Sequence, residues 1–347
     1  MAPRPAHARI YTLADSNYFV GLVALLNSLR LTGNEQELVV LDCGLSAQHR
    51  DLLEGHATVV PLSPEVAERK FLAKPYLYQH VSPDELVVYI DSDILVTAAL
   101  DPILASAAAG RICIAPLDWP EKRQRRRTEW QQLFGLTAPL REETYVNAGF
   151  LALSAKHWRP LLERWGQVTA SIPDGVLFHG DIDANPLWAG DQDAFNALLM
   201  SEVPAGTVEL LPEQAIVFPP NLERIDVLDA DRLECAIDGE PVAMLHYSWV
   251  PKPWEPRAWR RMEQPLRDAY ARLLPRILFA EDVALPLDPR DVPAWLRPGA
   301  FGAAARQRTA FARRLRRLAA RAARRLPAAA RERLLAVRDS FEPPQRG

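Results

Sequence analysis

The chain has 347 residues, 48% of them hydrophobic and 24% charged, which is typical of soluble globular proteins and not of fibrous or low-complexity chains. Its three cysteines lie far apart, which argues against a disulfide framework or a cysteine zinc site and fits a reducing cytoplasm. No run of about 18 uncharged apolar residues predicts a membrane span, and the first nine residues lack the apolar core of a signal peptide. The net charge of −3 divides into +11 from residue 297 onward and −14 before it, and so acidic a body argues against nucleic acid as a partner.

The first 115 residues alternate between strand-like and helix-like segments. Strands are predicted at 8–13, 37–41, 58–62, 86–90 and 111–115, and helices at 18–31, 46–53 and 64–79. Ser46 suits the N-cap of its helix, and Pro75 interrupts the third helix. Strands separated by helical segments of this length predict an α/β fold with a Rossmann-like, mostly parallel central sheet flanked by helices.

The middle of the chain is less regular. Further strands are predicted at 146–154 and 242–246, further helices at 157–170 and 192–200, and a polar loop at 173–190. A basic run at 122–127 predicts a solvated loop, with acceptor binding as the alternative. In the polar loop, Trp188 suits either sugar stacking or ordinary packing, and His179, Asp181 and Asp183 suit either an acceptor site or plain exposure.

Two carboxylates, Asp91 and Asp93, directly follow the apolar strand predicted at 86–90. In open α/β sheets, ligands bind just beyond the carboxyl ends of the strands. Two carboxylates there can hold a hard divalent cation, which in turn can hold a diphosphate. An isolated Asp-x-Asp suits a turn or a helix cap equally well, so other residues have to decide between a metal site and a local structural role.

Polar motifs lie near four other predicted strand ends, where a parallel sheet places its ligand. They are LADSNY at 13–18, YVNAGFL at 145–151, GDQDAFN at 190–196 and LHYSWVPKPW at 245–254. Together with YIDSDILV at 89–96, they resemble the motifs of retaining glycosyltransferases of family 8. That family includes glycogenin, galactinol synthase and bacterial lipopolysaccharide galactosyl- and glucosyltransferases.

The resemblance implies the GT-A fold, with a catalytic domain at 1–280 that has a nucleotide half at about 1–115 and an acceptor half at about 116–280. A Pro/Arg-rich extension would follow at 281–347. The implied reaction is transfer of a hexose from UDP-glucose or UDP-galactose to a glycan or lipid-linked acceptor with an α linkage. The setting implied is bacterial lipopolysaccharide or polysaccharide biosynthesis.

The resemblance also implies the residues of the site. Mn²⁺, or Mg²⁺, would be held by Asp91, Asp93 and His246, a mixed oxygen and nitrogen set that suits Mn²⁺. The nucleotide sugar would be bound by Ala14, Asp15, Asn17, Lys74, Asp91, Ser92, Asn147, Ala148 and Lys252. The catalytic segment would be Asp191, Gln192 and Asp193. Because an amide is a poor nucleophile, Gln192 favours same-face attack over double displacement, in which Asp193 would be the covalent candidate.

Two other functions remain open at this level. Trp249 replaces a glycine of the family's last motif, which leaves room for a catalytically weak or inactive nucleotide-sugar-binding module. A phosphatase of the haloacid dehalogenase type also places Asp-x-Asp after a strand. It is disfavoured because Leu95 stands where that class needs Thr or Val, and because its motif would follow the first strand.

The C-terminal extension predicts a basic amphipathic helix at 307–326, with an anionic membrane surface as its partner. A solvated tail is the alternative. The expected location is the cytoplasm, or the inner face of the cytoplasmic membrane as a peripheral protein.

Overall fold

A seven-stranded sheet forms the centre of the molecule in the computed structural model, which describes residues 8–117, 119–218, 221–248, 251–255 and 264–298. Its strand order is β3-β2-β1-β4-β7-β6-β8. The strands are β1 Ala8–Ala14, β2 Glu37–Asp42, β3 Thr58–Pro61, β4 Leu86–Ile90, β6 Ile112–Pro116, β7 Val146–Ser154 and β8 Val208–Leu210. All run parallel except β7, which pairs antiparallel with both β4 and β6. The predicted α/β fold with a mostly parallel sheet is therefore confirmed.

Two small sheets accompany the large one. They are β5-β13-β9, built from Ile94–Val96, Met244–His246 and Ile216–Val217, and β10-β11-β12, built from Asp226–Asp229, Glu234–Ile237 and Glu240–Pro241. The two apolar segments on either side of Asp91 and Asp93 thus belong to different sheets. Strand β4 lies in the seven-stranded sheet, and β5 lies in the small sheet β5-β13-β9. The turn between them carries both carboxylates.

Helices cover the sheet. They are α1 Phe19–Leu31, α2 Ala47–Leu53, α3 Pro64–Ala67, α4 Asp101–Ala108, α5 Trp130–Leu133, α6 Ala155–Ala170, α7 Asp191–Ser201 and α8 Gln264–Phe279. The Ser46 side chain accepts a hydrogen bond from the His49 amide, as an N-cap should. The segment around Pro75 is a 3-10 helix, Lys70–His80. Proline has no backbone N–H and so cannot donate the hydrogen bond that the interior of an α-helix needs.

The central strands are buried on both faces. On β4, Val88 and Ile90 lie in one apolar cluster with α1, while Val87 and Tyr89 lie in a second cluster with α6 and α7. A continuous apolar sequence is typical of a strand that is buried on both faces. Each fully buried Val or Ile side chain stabilises the fold by about 1.5–3 kcal/mol, so the core holds the end of β4 firmly.

The core continues past residue 280, where the sequence placed the start of the extension. Leu285, Leu287 and Trp295 are buried in the cluster that contains α1. The buried Asn27 side chain donates to the Leu285 carbonyl and accepts from its amide, both at 2.9 Å. The basic helix predicted at 307–326 lies outside the described residues. Among the residues that are described, no helix is long and apolar enough to span a membrane.

Candidate active site

The turn between β4 and β5 sets the backbone of the site. The Asp91 amide donates to the Gly149 carbonyl at 2.8 Å, and the Ile94 amide closes the turn on the Asp91 carbonyl at 3.0 Å. Strand β13 pairs antiparallel with β5, with His246 opposite Ile94. The antiparallel register therefore brings a histidine far along the chain beside the two aspartates.

Asp91, Asp93 and His246 form one cluster, with a ligand atom of each within 4.8 Å of the others. His246 Nε2 lies 3.3 Å from Asp93 Oδ1 and 3.8 Å from Asp91 Oδ2. Asp93 and His246 are buried, and Asp91 is half-buried at the cavity. The structure thus brings together the three residues predicted as metal ligands.

Two lysines flank the cluster. Lys252 Nζ is in contact with Asp93 Oδ2 and with the Tyr247 carbonyl. Lys74 Nζ lies 3.1 Å from Asp91 Oδ1 and 3.4 Å from Asp191 Oδ2. Both cations were predicted to bind the diphosphate or the donor sugar, and both reach the same cavity.

Burial and charge compete in this cluster. Burial alone would raise the pKa of the Asp93 carboxyl, but the charges of Lys252 and His246 hold it well below its usual range. Burial alone would lower the pKa of Lys74, but the Asp191 and Asp91 carboxylates raise it above its ordinary value. Asp93 is therefore ionised and Lys74 charged at neutral pH.

The cluster fits a divalent metal ion. Two carboxylate groups and one imidazole supply hard oxygen and borderline nitrogen donors, the set expected for Mn²⁺ and acceptable to Mg²⁺. The imidazole presents Nε2 to the carboxylates, while its buried Nδ1 has no hydrogen-bond partner within the described part of the chain.

A second cavity of about 220 Å³ adjoins the first, and residues predicted to bind the nucleotide line it. These are Ala14, Asp15, Asn17, Lys74, Asp91 and Ser92. The Asp15 carboxylate accepts from the amides of Asn17 and Tyr18, at 2.8 and 3.1 Å, and so fixes the turn that leads into α1. Cys43 also borders this cavity.

The first turn of α7 faces the metal cluster. Burial raises the pKa of Asp191 to about 6, although the neighbouring Lys74 charge lowers it. Gln192 is held at both ends of its amide, because Oε1 accepts from the Ala148 amide at 3.0 Å and Nε2 donates to Tyr145 Oη at 3.3 Å. Asp191 and Gln192 both line the first cavity, of about 290 Å³, together with Asn147.

Asp193 does not line either cavity, which argues against its prediction as a covalent candidate. Its side chain is 0% exposed, with Oδ1 bound by Arg125 Nε at 2.9 Å and by Tyr145 Oη at 2.8 Å. Oδ2 accepts from the Ala189 amide at 2.7 Å. With both oxygens engaged in the core, Asp193 holds α7 in place.

Arg125 contradicts the expectation that the basic run is a solvated loop. Its buried guanidinium pairs with Asp193 and also donates to the carbonyls of Ile182 and Asn185. Elsewhere in the run, Lys122 pairs with Asp183 at 2.6 Å. The acidic partners of Lys122 and Arg125 lie in the loop at 173–190 and on α7, far along the chain.

Arg125→Met should lower the free energy of unfolding by about 3–5 kcal/mol, because it leaves the Asp193 carboxylate buried without its cation. Arg126→Met is the matched control. The Arg126 side chain is 37% exposed and pairs with the exposed Glu142 at 3.1 Å, so its loss should cost about 0–1 kcal/mol. Urea unfolding of both variants measures the difference, and equal effects would contradict a buried pair at Arg125.

Sequence reasoning missed three residues that shape the site. Tyr89 Oη donates to Asp91 Oδ1 at 2.8 Å, and the available signal was its position on β4 two residues before Asp91, which directly follows the strand. Arg125 was hidden in its basic run. Gly149 lies in the motif YVNAGFL, but no role was predicted for it. Trp249, the predicted departure from the family motif, lies outside the described residues.

No protein-family model matches the chain, and no curated protein matches its sequence. Solved structures do match. The bifunctional glycosyltransferase WbbM, in its apo form, is 17% identical with a TM-score of 0.50, and the match covers 74% of this chain and 49% of that one. The galactosyltransferase LgtC, in complex with donor and acceptor sugar analogs, is 22% identical with a TM-score of 0.48 over 72% of this chain and 90% of that one. The glycosyltransferase GlyE of Streptococcus pneumoniae TIGR4 is 16% identical with a TM-score of 0.43, and the match covers 72% of this chain and 57% of that one.

The likeness to WbbM shows the fold. The chain has the α/β architecture of GT-A glycosyltransferases, and this architecture agrees with the resemblance of its motifs to family 8.

Proposed function

We propose that the chain is a metal-dependent, retaining glycosyltransferase. It moves glucose or galactose from a UDP-sugar to a glycan or lipid-linked acceptor, with an α linkage. The observation that carries the proposal is the cavity in which Asp91, Asp93 and His246 converge between the cations Lys74 and Lys252. Such a set complements a diphosphate that is bound through a divalent metal ion.

The metal, when bound, supplies Lewis-acid stabilisation of the charge that develops on the leaving diphosphate. This chain's own residues do the rest. Lys252 adds a second positive charge beside Asp93, and Lys74 bridges the ligand Asp91 to Asp191 on α7. The lysine bridge fixes the distance between the metal cluster and the turn that faces the donor sugar.

Retention follows best from same-face attack without an enzyme nucleophile. Gln192 is an amide and therefore a poor nucleophile, and both ends of its side chain are hydrogen-bonded, so it can border the anomeric carbon without attacking it. Asp193 is buried away from the cavity. In same-face attack, the leaving phosphate accepts the proton of the acceptor hydroxyl, and no covalent step on the protein is needed.

A thermal-shift experiment tests this function. UDP-galactose or UDP-glucose at about 100 times its Kd, with Mn²⁺, should stabilise the protein by about 2.7 kcal/mol. ADP-glucose, GDP-mannose and UDP-sugar with EDTA serve as controls and should give much smaller shifts. A shift of the same size without metal, or with every nucleotide, would contradict the proposed site.

Release of UDP separates the enzyme from a binding module of the same fold. A transferase hydrolyses its donor slowly when no acceptor is present, whereas a binding module shows the thermal shift without release of UDP. This measurement needs no knowledge of the acceptor.

We also propose a cytoplasmic location, with peripheral attachment to the inner face of the cytoplasmic membrane. The support is the sequence of the basic segment beyond residue 300, since clustered arginines attract anionic lipid by about 1 kcal/mol each.

A further inference from the structure

Four aromatic side chains in contact with one another, Phe71, Phe178, Trp188 and Trp119, form an aromatic wall. Only the two phenylalanines line the first cavity, and Phe71 also lines the second. Phe71 and Phe178 both line the cavity and are 45% and 43% exposed. Within the described part of the chain, they are the only exposed phenylalanines. Exposed apolar rings beside a polar cavity mark a ligand surface more often than a random surface position.

The rings form a continuous arc. Phe71 meets Phe178 edge to face with centroids 6.2 Å apart, and Phe178 meets Trp188 edge to face at 5.1 Å. Trp119 continues the arc beyond Trp188 at 5.9 Å. Edge-to-face contacts are the favourable geometry for aromatic pairs, so the rings hold one another in position.

The backbone also holds Phe178 in place. Its φ is +57°, a conformation that bulky L side chains rarely adopt. Its amide donates to the Trp188 carbonyl at 2.9 Å. The Asn185 side chain donates to the carbonyls of Val176 and His179 on either side, and the Asn185 carbonyl accepts from Arg125. Strain of this kind persists where surrounding contacts enforce it, and it is concentrated at ligand sites.

The same cavity has polar groups besides the aromatic wall. Asp191, Gln192, Asn147 and Ser248 also line it. A pyranose ring combines an apolar C–H face with hydroxyl groups at its edge, and so satisfies both kinds of lining. An alkyl chain would cover the rings but would offer no hydroxyl group to the polar side chains beside them.

We infer that Phe71 and Phe178 form an acceptor subsite that takes the C–H face of a hexopyranose. The inference rests on the proposed function, in which the donor sugar lies at Asp191 and Gln192 in the same cavity. A hexose stacked on these rings lies in the cavity that holds the donor sugar in the proposed function.

The test measures Phe178→Ala with methyl β-galactoside, methyl β-glucoside and methyl β-lactoside as acceptors, and with the matching octyl glycosides. The half-saturating acceptor concentration should rise about three- to tenfold, the size expected for one lost aromatic contact. The ratio of transfer to UDP-sugar hydrolysis should fall accordingly. Phe178→Tyr keeps the ring and should restore acceptor binding.

Two variants control for structure. Phe178→Gly adopts a φ of +57° without strain, so it removes the ring without the backbone strain that alanine bears at this position. Leu228→Ala removes an apolar side chain that is 64% exposed and does not line either cavity, and it should change nothing.

Quenching of tryptophan fluorescence by the methyl glycosides, with UDP and Mn²⁺ present, gives a readout that needs no turnover. Saturable quenching that is lost in Phe178→Ala supports the subsite. No saturable quenching, unchanged acceptor constants in Phe178→Ala, or an effect confined to the octyl glycosides overturns it. If the wild-type protein releases no UDP from any UDP-sugar, the proposed function fails instead, and the quenching result then decides only whether these rings bind a hexopyranose.

Discussion

Asp93→Asn is expected to reduce Mn²⁺-dependent release of UDP from a UDP-sugar by at least about a hundredfold. The Asp93 carboxylate faces both His246 and Lys252. In the proposed function it would supply a metal ligand and would hold the Lys252 cation beside the diphosphate. An amide keeps the shape but loses the charge. Loss of several kcal/mol of charge stabilisation in the transition state corresponds to two or more decades in rate.

The matched control is Asp84→Asn. Asp84 is exposed and precedes the other end of β4, so it changes the net charge equally without reaching the site. Titration with Mn²⁺, followed by electron paramagnetic resonance, should show weakened binding only in Asp93→Asn. Wild-type Mn²⁺ affinity and UDP release in Asp93→Asn would refute the assignment of Asp93 as a ligand.

The local sequence pattern predicted the positions of strands better than it predicted which strands pair with each other and in which direction. Strand β4 is recognisable because a strand buried on both faces must be apolar throughout, and its end is marked by Asp91. The antiparallel direction of β7 could not be predicted, because an apolar sequence forms a parallel or an antiparallel strand equally well. The division of residues 86–96 between two sheets could not be predicted either, because β5 pairs with β13, about 150 residues later in the chain.

The candidate site shows the same limit. Most of the charged residues that line its cavities were predicted, because carboxylates, lysines and a histidine near strand ends are typical of a ligand site and because the resemblance to family 8 implied their roles. The aromatic residues Phe71, Phe178 and Tyr89, which also line these cavities, were not predicted. The residues that support the charged ones were missed. Arg125 looks like a solvated charge until Asp193, 68 residues away, is placed beside it. Arg125 is buried because the fold packs α7 against it, and its neighbours in the sequence do not indicate this.

Gly149→Ala is expected to abolish metal binding although it changes no proposed ligand. A Cβ at this position would lie 2.7 Å from Asp91 Oδ2 and 2.8 Å from Asn147 Oδ1, and closer still to His246 Cε1. These distances are below van der Waals contact, so Asp91 and His246 would have to separate. Glycine is therefore needed here for close approach and not for an unusual backbone conformation.

The added methyl group points at cavity-lining side chains, so the fold should tolerate it better than a substitution in the core. Ala152→Gly on the same strand is the control: it removes a buried methyl group and should lower stability by about 1 kcal/mol without reaching the cavity. Calorimetric titration with Mn²⁺ and thermal unfolding of both variants separate the two effects. Gly149→Ala should lose Mn²⁺ affinity and Ala152→Gly should keep it. Unchanged Mn²⁺ affinity in Gly149→Ala would mean that the ion does not bind between Asp91 and His246, and the metal centre would have to lie elsewhere.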